Sequence, residues 1–174
     1  MRVVAYFLVG YGVMVGLAYL MQQRMTYFPE RQSLPDLKSQ AATAGLKLWP
    51  SDDADYLGLT GTDDLTGSKG TVVVFHGNAG AAVHRFYYTR ALERLGYRVV
   101  VAEYPGYGAR PGRPGEKAFV AAARALVQAV YAQFGDPIFL WGESLGSGVA
   151  TAVAAQSPVP IEGVILLTPW NSLP

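Results

Sequence analysis

The sequence predicts an α/β fold, in which a mostly parallel sheet is flanked by helices, with one long apolar helix at the N-terminus. Short β-branched runs alternate with stretches of helical periodicity, and this alternation is typical of parallel strands joined by right-handed crossovers. The 174 residues are 51% hydrophobic and 16% charged, a composition that supplies one packed core. An uncharged run covers residues 3–23, ahead of the alternating region. We therefore expect a separate N-terminal helix within residues 1–26 and one α/β domain over residues 27–174.

The composition excludes several classes of protein. The net charge is +1 and the fourteen Lys and Arg residues are scattered, so no basic face for nucleic acid is expected. The absence of cysteine excludes disulfides, thiolate metal sites and a cysteine nucleophile. Gly106, Gly108 and Gly112 lie in a proline-rich loop rather than between a strand and a helix, so they do not form a phosphate-binding turn. No metal or organic cofactor is expected.

The N-terminal run is almost wholly apolar over residues 3–21. As a helix that rises ~1.5 Å per residue, it would match the ~30 Å hydrocarbon core of a bilayer. We therefore expect residues 1–26 to be an uncleaved, single-pass anchor, which places the protein in a membrane. One alternative is a cleaved signal peptide, for which Gly16 and Ala18 provide small residues. A buried helix of a soluble domain is the other, and the absence of a polar face argues against it.

The segment after this run has short elements. The polar, proline-containing stretch 29–36 is interpreted as a juxtamembrane linker, and a short helix is expected around residues 37–44. Short strands are predicted at 46–49 and 56–59, because clusters of Asp, Gly, Thr and Ser separate and follow them.

The alternation becomes regular from residue 71. Residues 71–75 form a β-branched apolar run, typical of a strand that is covered on both faces. Apolar residues recur at helical spacing between 116 and 134, and Gly135 ends that helix. The remaining predicted elements are strands at 97–102, 137–141 and 161–167 and helices at about 82–95 and 145–155.

Self-association is expected from the edge of the predicted sheet, whereas a glycine pattern in the N-terminal run arises easily by chance and is by itself a weak signal. Gly12 and Gly16 form a GxxxG pattern, which allows two apolar helices to approach closely. The apolar strand predicted at 161–167 is the last one along the chain, so its outer edge would expose unpaired backbone groups.

The strongest chemical motif is G-x-S-x-G at residues 142–146, between a predicted strand and a predicted helix. A sharp turn at this position presents the Ser144 hydroxyl at the carboxyl edge of the sheet, and the flanking glycines let strand and helix pass closely. The helix N-terminus behind it favours developing negative charge. Ser144 is therefore the candidate nucleophile. The alternative is a serine that only caps the helix.

A second motif, HGNAG at residues 76–80, directly follows the buried strand 71–75. Acyl transfer produces an oxyanion that requires two donors about 3 Å away. The backbone N–H of Leu145 is the first candidate donor. Asn78 in this loop is the second, with Ala79 as its alternative.

Three motifs in order, FHGNAG at 75–80, EYPGYG at 103–108 and WGESLGSGVA at 141–150, resemble the serine aminopeptidase-like branch of the α/β-hydrolase superfamily. Among its members, the chain is most similar to the hydrolases with an N-terminal membrane helix, over about residue 27 to the C-terminus. The resemblance implies the α/β-hydrolase fold and a serine hydrolase that acts on esters, thioesters or amides. Small acyl or lipid-like molecules are the implied substrates.

The resemblance also implies a catalytic acid and a histidine that come after the nucleophile in the chain. No histidine follows Ser144, and His76 and His84, which precede it, are interpreted as structural. Among the carboxylates that could replace the acid, Glu103 follows a strand and can face the site, while Asp136 precedes a strand and lies at its other end.

A third carboxylate, Glu143, neighbours the nucleophile but is expected to turn away from it. The sequence therefore predicts a fragment of a serine hydrolase that lacks part of its triad. The alternatives are a non-catalytic, membrane-tethered binding or interaction protein and a truncated product without function.

Overall fold

A six-stranded mixed sheet organises the part of the chain described by this computed structural model, which comprises residues 2–63, 65–135 and 137–169. The strands of this part are β1 (Phe28–Pro29), β2 (Leu46–Trp49), β3 (Gly58–Gly61), β4 (Thr71–Phe75), β5 (Ala79–Gly80), β6 (Arg98–Ala102), β7 (Ile138–Glu143) and β8 (Gly163–Leu167). The helices are α1 (Arg2–Thr26), α2 (Leu34–Ala44), α3 (Phe86–Glu93), α4 (Glu116–Phe134) and α5 (Leu145–Ala155), and a 3₁₀ turn, Ala82–Arg85, precedes α3.

The order of the strands places the two motif-bearing strands side by side. The order of the strands is β2-β3-β6-β4-β7-β8. Strand β3 is antiparallel to both of its neighbours, β2 and β6, whereas β6, β4, β7 and β8 are parallel to one another. The predicted α/β class with a mostly parallel sheet is confirmed. Because β4 and β7 are parallel neighbours, the loop after β4 and the turn after β7 leave the sheet at the same edge.

Helices cover both faces of the sheet, and the residues of β4 pack alternately against the helices on the two faces. All five β4 residues are buried. Val73 and Phe75 pack in the cluster that α4 and α5 complete, whereas Val72 and Val74 pack in the cluster that α2 and the 3₁₀ turn complete. The period of two along a strand therefore explains the uninterrupted apolar run in the sequence.

The predicted boundaries agree for β2, β4, α4 and α5, where periodicity and flanking glycines mark the ends. The linker predicted at 29–36 is wrong, because this segment packs on the domain. Within it, β1 pairs in parallel with β5, the backbone of Arg31 bridges to Gly108, and α2 already begins at Leu34 with the Ser33 hydroxyl as its cap. Local sequence patterns do not reveal such pairings between distant residues.

Helix α1 forms over the predicted apolar run, and most of its described side chains are exposed. Within the residues that the structure describes, no helix is both long and apolar enough to cross a membrane. The predicted transmembrane helix, and with it the single-pass membrane localisation, is contradicted by this finding.

Strand β8 is the last strand of the sheet in the described part of the chain. It pairs with β7 along one edge. The side chains of Val164, Ile165, Leu166 and Leu167 are 41–47% exposed. The apolar residues of β4 and β6 are buried, so the exposed side chains of β8 form a distinct apolar surface.

Candidate active site

The turn between β7 and α5 holds Ser144 in a strained conformation. Its φ of 53° and ψ of −116° lie outside the regions that residues other than glycine ordinarily adopt. The backbone N–H of Ser144 donates to the Leu167 carbonyl at 2.8 Å, and its carbonyl accepts the N–H of Ser147 at 2.8 Å. Among the described residues, the Ser144 side chain makes no capping hydrogen bond to α5. The turn is therefore held by its backbone, which leaves the hydroxyl free of the capping role.

Glycines on both sides of Ser144 permit this turn. A Cβ atom at Gly142 would lie 2.5 Å from the Cα of Ser147, and one at Gly146 would overlap the carbonyl oxygen of Phe75. The hydroxyl of Ser147 lies 2.9 Å from the Gly142 carbonyl oxygen and thereby ties the helix back to the strand. The close packing expected from the G-x-S-x-G motif is thus present between β4, β7 and α5.

The loop after β4 lies directly against this turn. A Cβ atom at Gly77 would be 3.6 Å from the Cβ of Ser144. The carbonyl of Asn78 accepts the Phe28 N–H at 3.0 Å and the Tyr107 hydroxyl at 2.8 Å. The Asn78 side-chain amide donates to the Thr26 carbonyl at 2.8 Å. These bonds use the Asn78 carbonyl and one of the two side-chain N–H groups, and the backbone N–H of Asn78 is the candidate oxyanion donor.

Leu145 occupies the first position of α5 and is 4% exposed. The first N–H groups of a helix have no acceptor within the helix, so the Leu145 N–H is geometrically suited to bind an anion. The three residues predicted for the site, Ser144, Leu145 and Asn78, therefore lie on two adjacent turns at one edge of the sheet. Their catalytic roles remain predictions.

His76 and Glu103 form a buried pair beneath the loop. His76 is fully buried and Glu103 is 1% exposed. The His76 Nδ1 lies 2.7 Å from the carbonyl oxygen of Gly77, and its Nε2 lies 3.6 Å from Glu103 Oε1. The same carboxylate oxygen accepts the Ala82 N–H at 3.1 Å. The structural interpretation of His76 agrees with this enclosure, and Glu103 contacts His76 rather than Ser144.

The rings of Tyr104 and Tyr107 pack against the ring of His76. The Tyr104 hydroxyl donates to the His76 carbonyl at 2.9 Å, and the rings of Tyr104 and His76 lie 4.5 Å apart. Burial, and then the neighbouring Tyr107 and Glu103, raise the pKa of Tyr104 well above its usual value. Burial also raises the pKa of Tyr107. Both phenols therefore stay protonated and act as donors.

The carboxylate of Glu143 lies beside the loop after β4: a Cβ atom at Gly77 would be 3.6 Å from its Oε1, the same distance as from the Cβ of Ser144. Its Oε2 accepts the Tyr88 hydroxyl at 3.1 Å and lies 3.4 Å from the Nε of Arg85. The same guanidinium donates to the Ala79 carbonyl at 3.2 Å. Arg85 therefore connects the strand that carries Ser144 to the loop that carries Asn78. Sequence patterns did not indicate this link, because Glu143 lies more than fifty residues after Arg85.

The remaining candidates lie elsewhere. His84, in the 3₁₀ turn, is 3.6 Å from Glu30 and accepts the Ala81 N–H at 3.2 Å, which agrees with its structural interpretation. Asp136 lies outside the described residues. No group of three or more metal-ligating side chains occurs in the part of the chain that the structure describes.

The central strands of the sheet are parallel, and a strained serine lies at a strand-to-helix turn. A glycine loop from the neighbouring strand lies beside that serine. This is the arrangement of an α/β-hydrolase. The family model of serine aminopeptidase, S33, matches residues 66–174. The chain belongs to this family. The resemblance inferred from the three motifs is thereby confirmed, whereas nothing in the comparisons shows membrane anchoring.

Two relatives show how much of a longer protein this chain corresponds to. An uncharacterized protein of Mycobacterium tuberculosis is 35% identical over 156 residues, which cover 87% of this chain and 55% of that protein. Lysophosphatidylserine lipase ABHD12 from Gallus gallus is 36% identical over 118 residues, which cover 64% of this chain and 31% of the lipase. The chain thus spans about half the length of the first relative and about a third of the second.

A solved structure supports the same fold. The crystal structure of a protein from Acinetobacter baumannii described as a lipase superposes with a TM-score of 0.53 at 24% identity. The match covers 78% of this chain and 46% of that structure. At this level of identity the comparison shows the α/β-hydrolase fold.

Proposed function

We propose that this chain carries the nucleophile and the oxyanion-binding loop of a serine hydrolase, in which Ser144 attacks the acyl carbon of an ester, thioester or amide. The strained backbone of Ser144 at the β7–α5 turn carries the proposal. A serine that capped α5 would have extended dihedral angles, and its side chain would accept a bond from the first helical turn. Ser144 has neither property.

In the proposed reaction the acyl carbonyl oxygen becomes an oxyanion between the N–H groups of Leu145 and Asn78. Leu145 begins a helix, and Asn78 follows Gly77, which lies against Ser144. Donors that are already oriented stabilise the developing charge without reorganisation, and each contributes on the order of 10²–10³ in kcat. The hydroxyl proton passes to a general base. Neither histidine is assigned as this base, because His76 is enclosed and the two ring nitrogens of His84 face the Ala81 N–H and Glu30.

We propose acyl esters of lipid-like molecules as the substrate class. The support comes from the comparisons, in which the similar proteins include a lysophosphatidylserine lipase and a structure described as a lipase. A small acyl chain is the simplest probe of this class.

The nucleophile is tested by labelling the intact protein with a fluorophosphonate and by measuring hydrolysis of a short acyl ester. We expect labelling at Ser144 and complete loss of labelling in Ser144→Ala. Ser39→Ala is the matched control, because Ser39 is exposed on α2, far along the chain from the turn, and should label as the wild type does. Labelling that persists in Ser144→Ala would refute the assignment.

We also propose that the chain self-associates through β8. The proposal is supported by the four exposed apolar side chains of this strand and by its position at the end of the described sheet.

A further inference from the structure

A cavity outside the site described above brings together three arginines from separate segments of the chain. Arg24 belongs to the last turn of α1, Arg31 follows β1, and Arg113 lies in the loop before α4. The volume of the cavity is about 570 Å³, within the roughly 300–1,000 Å³ of small-molecule sites. We call it the arginine pocket. Its other lining residues are Tyr27, Pro29 and Pro114.

The positive charge of the arginine pocket is not neutralised within the described part of the chain. None of its three guanidinium groups forms an ion pair with a described carboxylate. Glu30, which precedes Arg31, faces His84 at 3.6 Å instead. Glu116 lies close enough to Tyr27 to raise the pKa of its phenol further after burial has raised it, yet it pairs with none of the arginines. Like charges around one cavity repel each other, so an anion that enters it is stabilised.

The arginines also have free donors for such an anion. The Nε of Arg31 donates to the Gly106 carbonyl at 3.0 Å, and its Nη2 donates to the Gly112 carbonyl at 3.4 Å. A guanidinium group has five N–H bonds, so three of those of Arg31 stay available. The guanidinium groups of Arg24 and Arg113 make no hydrogen bond to the described residues. Because Arg31 is bonded to the residue before Arg113, it is held towards the loop that supplies Arg113.

The arginine pocket borders the loop that carries Asn78. The Thr26 carbonyl accepts the side-chain amide of Asn78 at 2.8 Å, and the Phe28 N–H donates to the Asn78 carbonyl at 3.0 Å. Pro29, in the wall of the pocket, pairs with Gly80. The segment between Arg24 and Arg31 is therefore fixed against this loop. A small molecule that fills the pocket lies next to the candidate active site.

We propose that the arginine pocket binds a phosphate group carried by the acyl ester substrate. Three guanidinium groups from separate segments match the several oxygens of a tetrahedral phosphate, whereas a carboxylate is satisfied by one bidentate arginine. Tyr27 and the two prolines give the rest of the molecule an apolar wall. The proposal rests on the function proposed for Ser144. It adds selectivity for esters that contain a phosphate.

Binding is measured in the Ser144→Ala protein, with inorganic phosphate as the probe. We expect calorimetric titration to show one saturable site per chain. Arg24→Gln and Arg113→Gln should each weaken binding about tenfold, the effect of losing a hydrogen bond between charged groups. Both side chains are exposed and unbonded to described residues, so their replacement should leave the fold intact.

Arg94→Gln is the matched control for these titrations. It removes the same charge from an exposed position at the end of α3, outside the arginine pocket. We expect it to bind phosphate as tightly as the parent protein does. Absence of phosphate binding, or equal weakening in Arg94→Gln and Arg113→Gln, would overturn the proposal.

A second titration of the same protein distinguishes a phosphate of the substrate from free phosphate. Its two probes are a short acyl ester of glycerol and the same ester of glycerol phosphate. We expect the phosphate ester to bind about tenfold more tightly, and Arg24→Gln and Arg113→Gln to remove this difference. Equal affinities for the two esters would contradict the selectivity for substrate and assign the pocket to free phosphate.

Fluorophosphonate labelling of the wild-type protein relates the pocket to Ser144. The phosphate ester should protect Ser144 at a lower concentration than the neutral ester, because the pocket adds to its affinity. Inorganic phosphate occupies the pocket alone and should not protect. Protection by inorganic phosphate equal to that by the phosphate ester would contradict a substrate that reaches both places. Failure of Ser144→Ala to abolish labelling would instead contradict the nucleophile and leave both titrations, made without that hydroxyl, standing.

Discussion

Gly146 is the residue at which the nucleophile turn tolerates least change. A Cβ atom there would overlap the Phe75 carbonyl oxygen and lie 2.8 Å from the His76 carbonyl oxygen. Both obstacles are backbone atoms at the end of β4, so no side-chain rotation can relieve them. The glycine therefore sets how closely α5 approaches the strand that supports the loop.

We expect Gly146→Ala to lower the free energy of unfolding by about 1–3 kcal/mol, the usual cost of inserting a methyl group into a packed interior. Displacing α5 from β4 should also abolish fluorophosphonate labelling. Gly115→Ala is the control, because Gly115 has an extended φ of 164° and nothing lies within 4 Å of its added Cβ. Urea denaturation measures both variants. A Gly146→Ala protein as stable and as reactive as the wild type would contradict the packing argument.

At this scale the sequence indicated candidate residues but not the contacts of the side chains around them. Ser144, Leu145 and Asn78 could be named because motif spacing places them after adjacent strands. The contacts of His76 with Glu103 and of Glu143 with Arg85 could not be named, because they depend on distances between side chains of separate elements. Glu103 was considered for its position after a strand, and the structure places it on the imidazole instead.

Among the elements, α3 contacts strand β3 through Glu93. The Glu93 carboxylate packs against Gly61 so closely that a Cβ atom there would overlap it. Burial raises the pKa of Glu93, and the charge of Asp63 raises it further. The charged form is therefore less favourable in the folded protein than in the unfolded chain.

We expect Glu93→Gln to raise the melting temperature at neutral pH. The sign follows from the raised pKa: ionised Glu93 costs stability above its folded pKa, and this cost vanishes as the pH falls below the ordinary value of about 4.3. The amide still offers an oxygen to Gly61. The stabilisation should therefore disappear in acid, and calorimetry at several pH values measures it. A variant with a constant difference across the pH range would contradict this origin.

The elements differ in how far local sequence determines them. The bounds of α4 agree with prediction because Phe119, Ala123, Leu126 and Val130 repeat at helical spacing and Gly135 ends the helix. The stretch predicted as one helix at 82–95 instead divides into a 3₁₀ turn and α3. The segment at 29–36 could not be assigned correctly, because its partners Gly80 and Gly108 lie about fifty and eighty residues away.

For the whole molecule, the sequence predicted the sheet and the family but not the character of α1. The alternation of strands and helices determines the class because each buried strand needs cover on both faces. The apolar run at 3–21 was expected to cross a membrane, and no helix of the described chain meets that requirement.

The last prediction concerns the open edge of the sheet. Parallel strands form hydrogen bonds on both edges, and in the described chain β8 uses one of them with β7. We expect the 174-residue chain to self-associate through the other edge, because Val164, Ile165, Leu166 and Leu167 are exposed beside it. The average mass should rise with concentration, and backbone amides of residues 163–167 should gain protection from hydrogen exchange.

A single charge on β8 should weaken this association. Ile165→Lys places a charge on the edge strand, as natural sheets do to prevent pairing between molecules. Leu95→Lys is the matched control, since Leu95 is 59% exposed outside any strand and the variant has the same net charge. Sedimentation velocity should show a lower average mass for Ile165→Lys and an unchanged one for Leu95→Lys. Equal masses for the two variants, with unprotected amides in β8, would show that association does not use this edge.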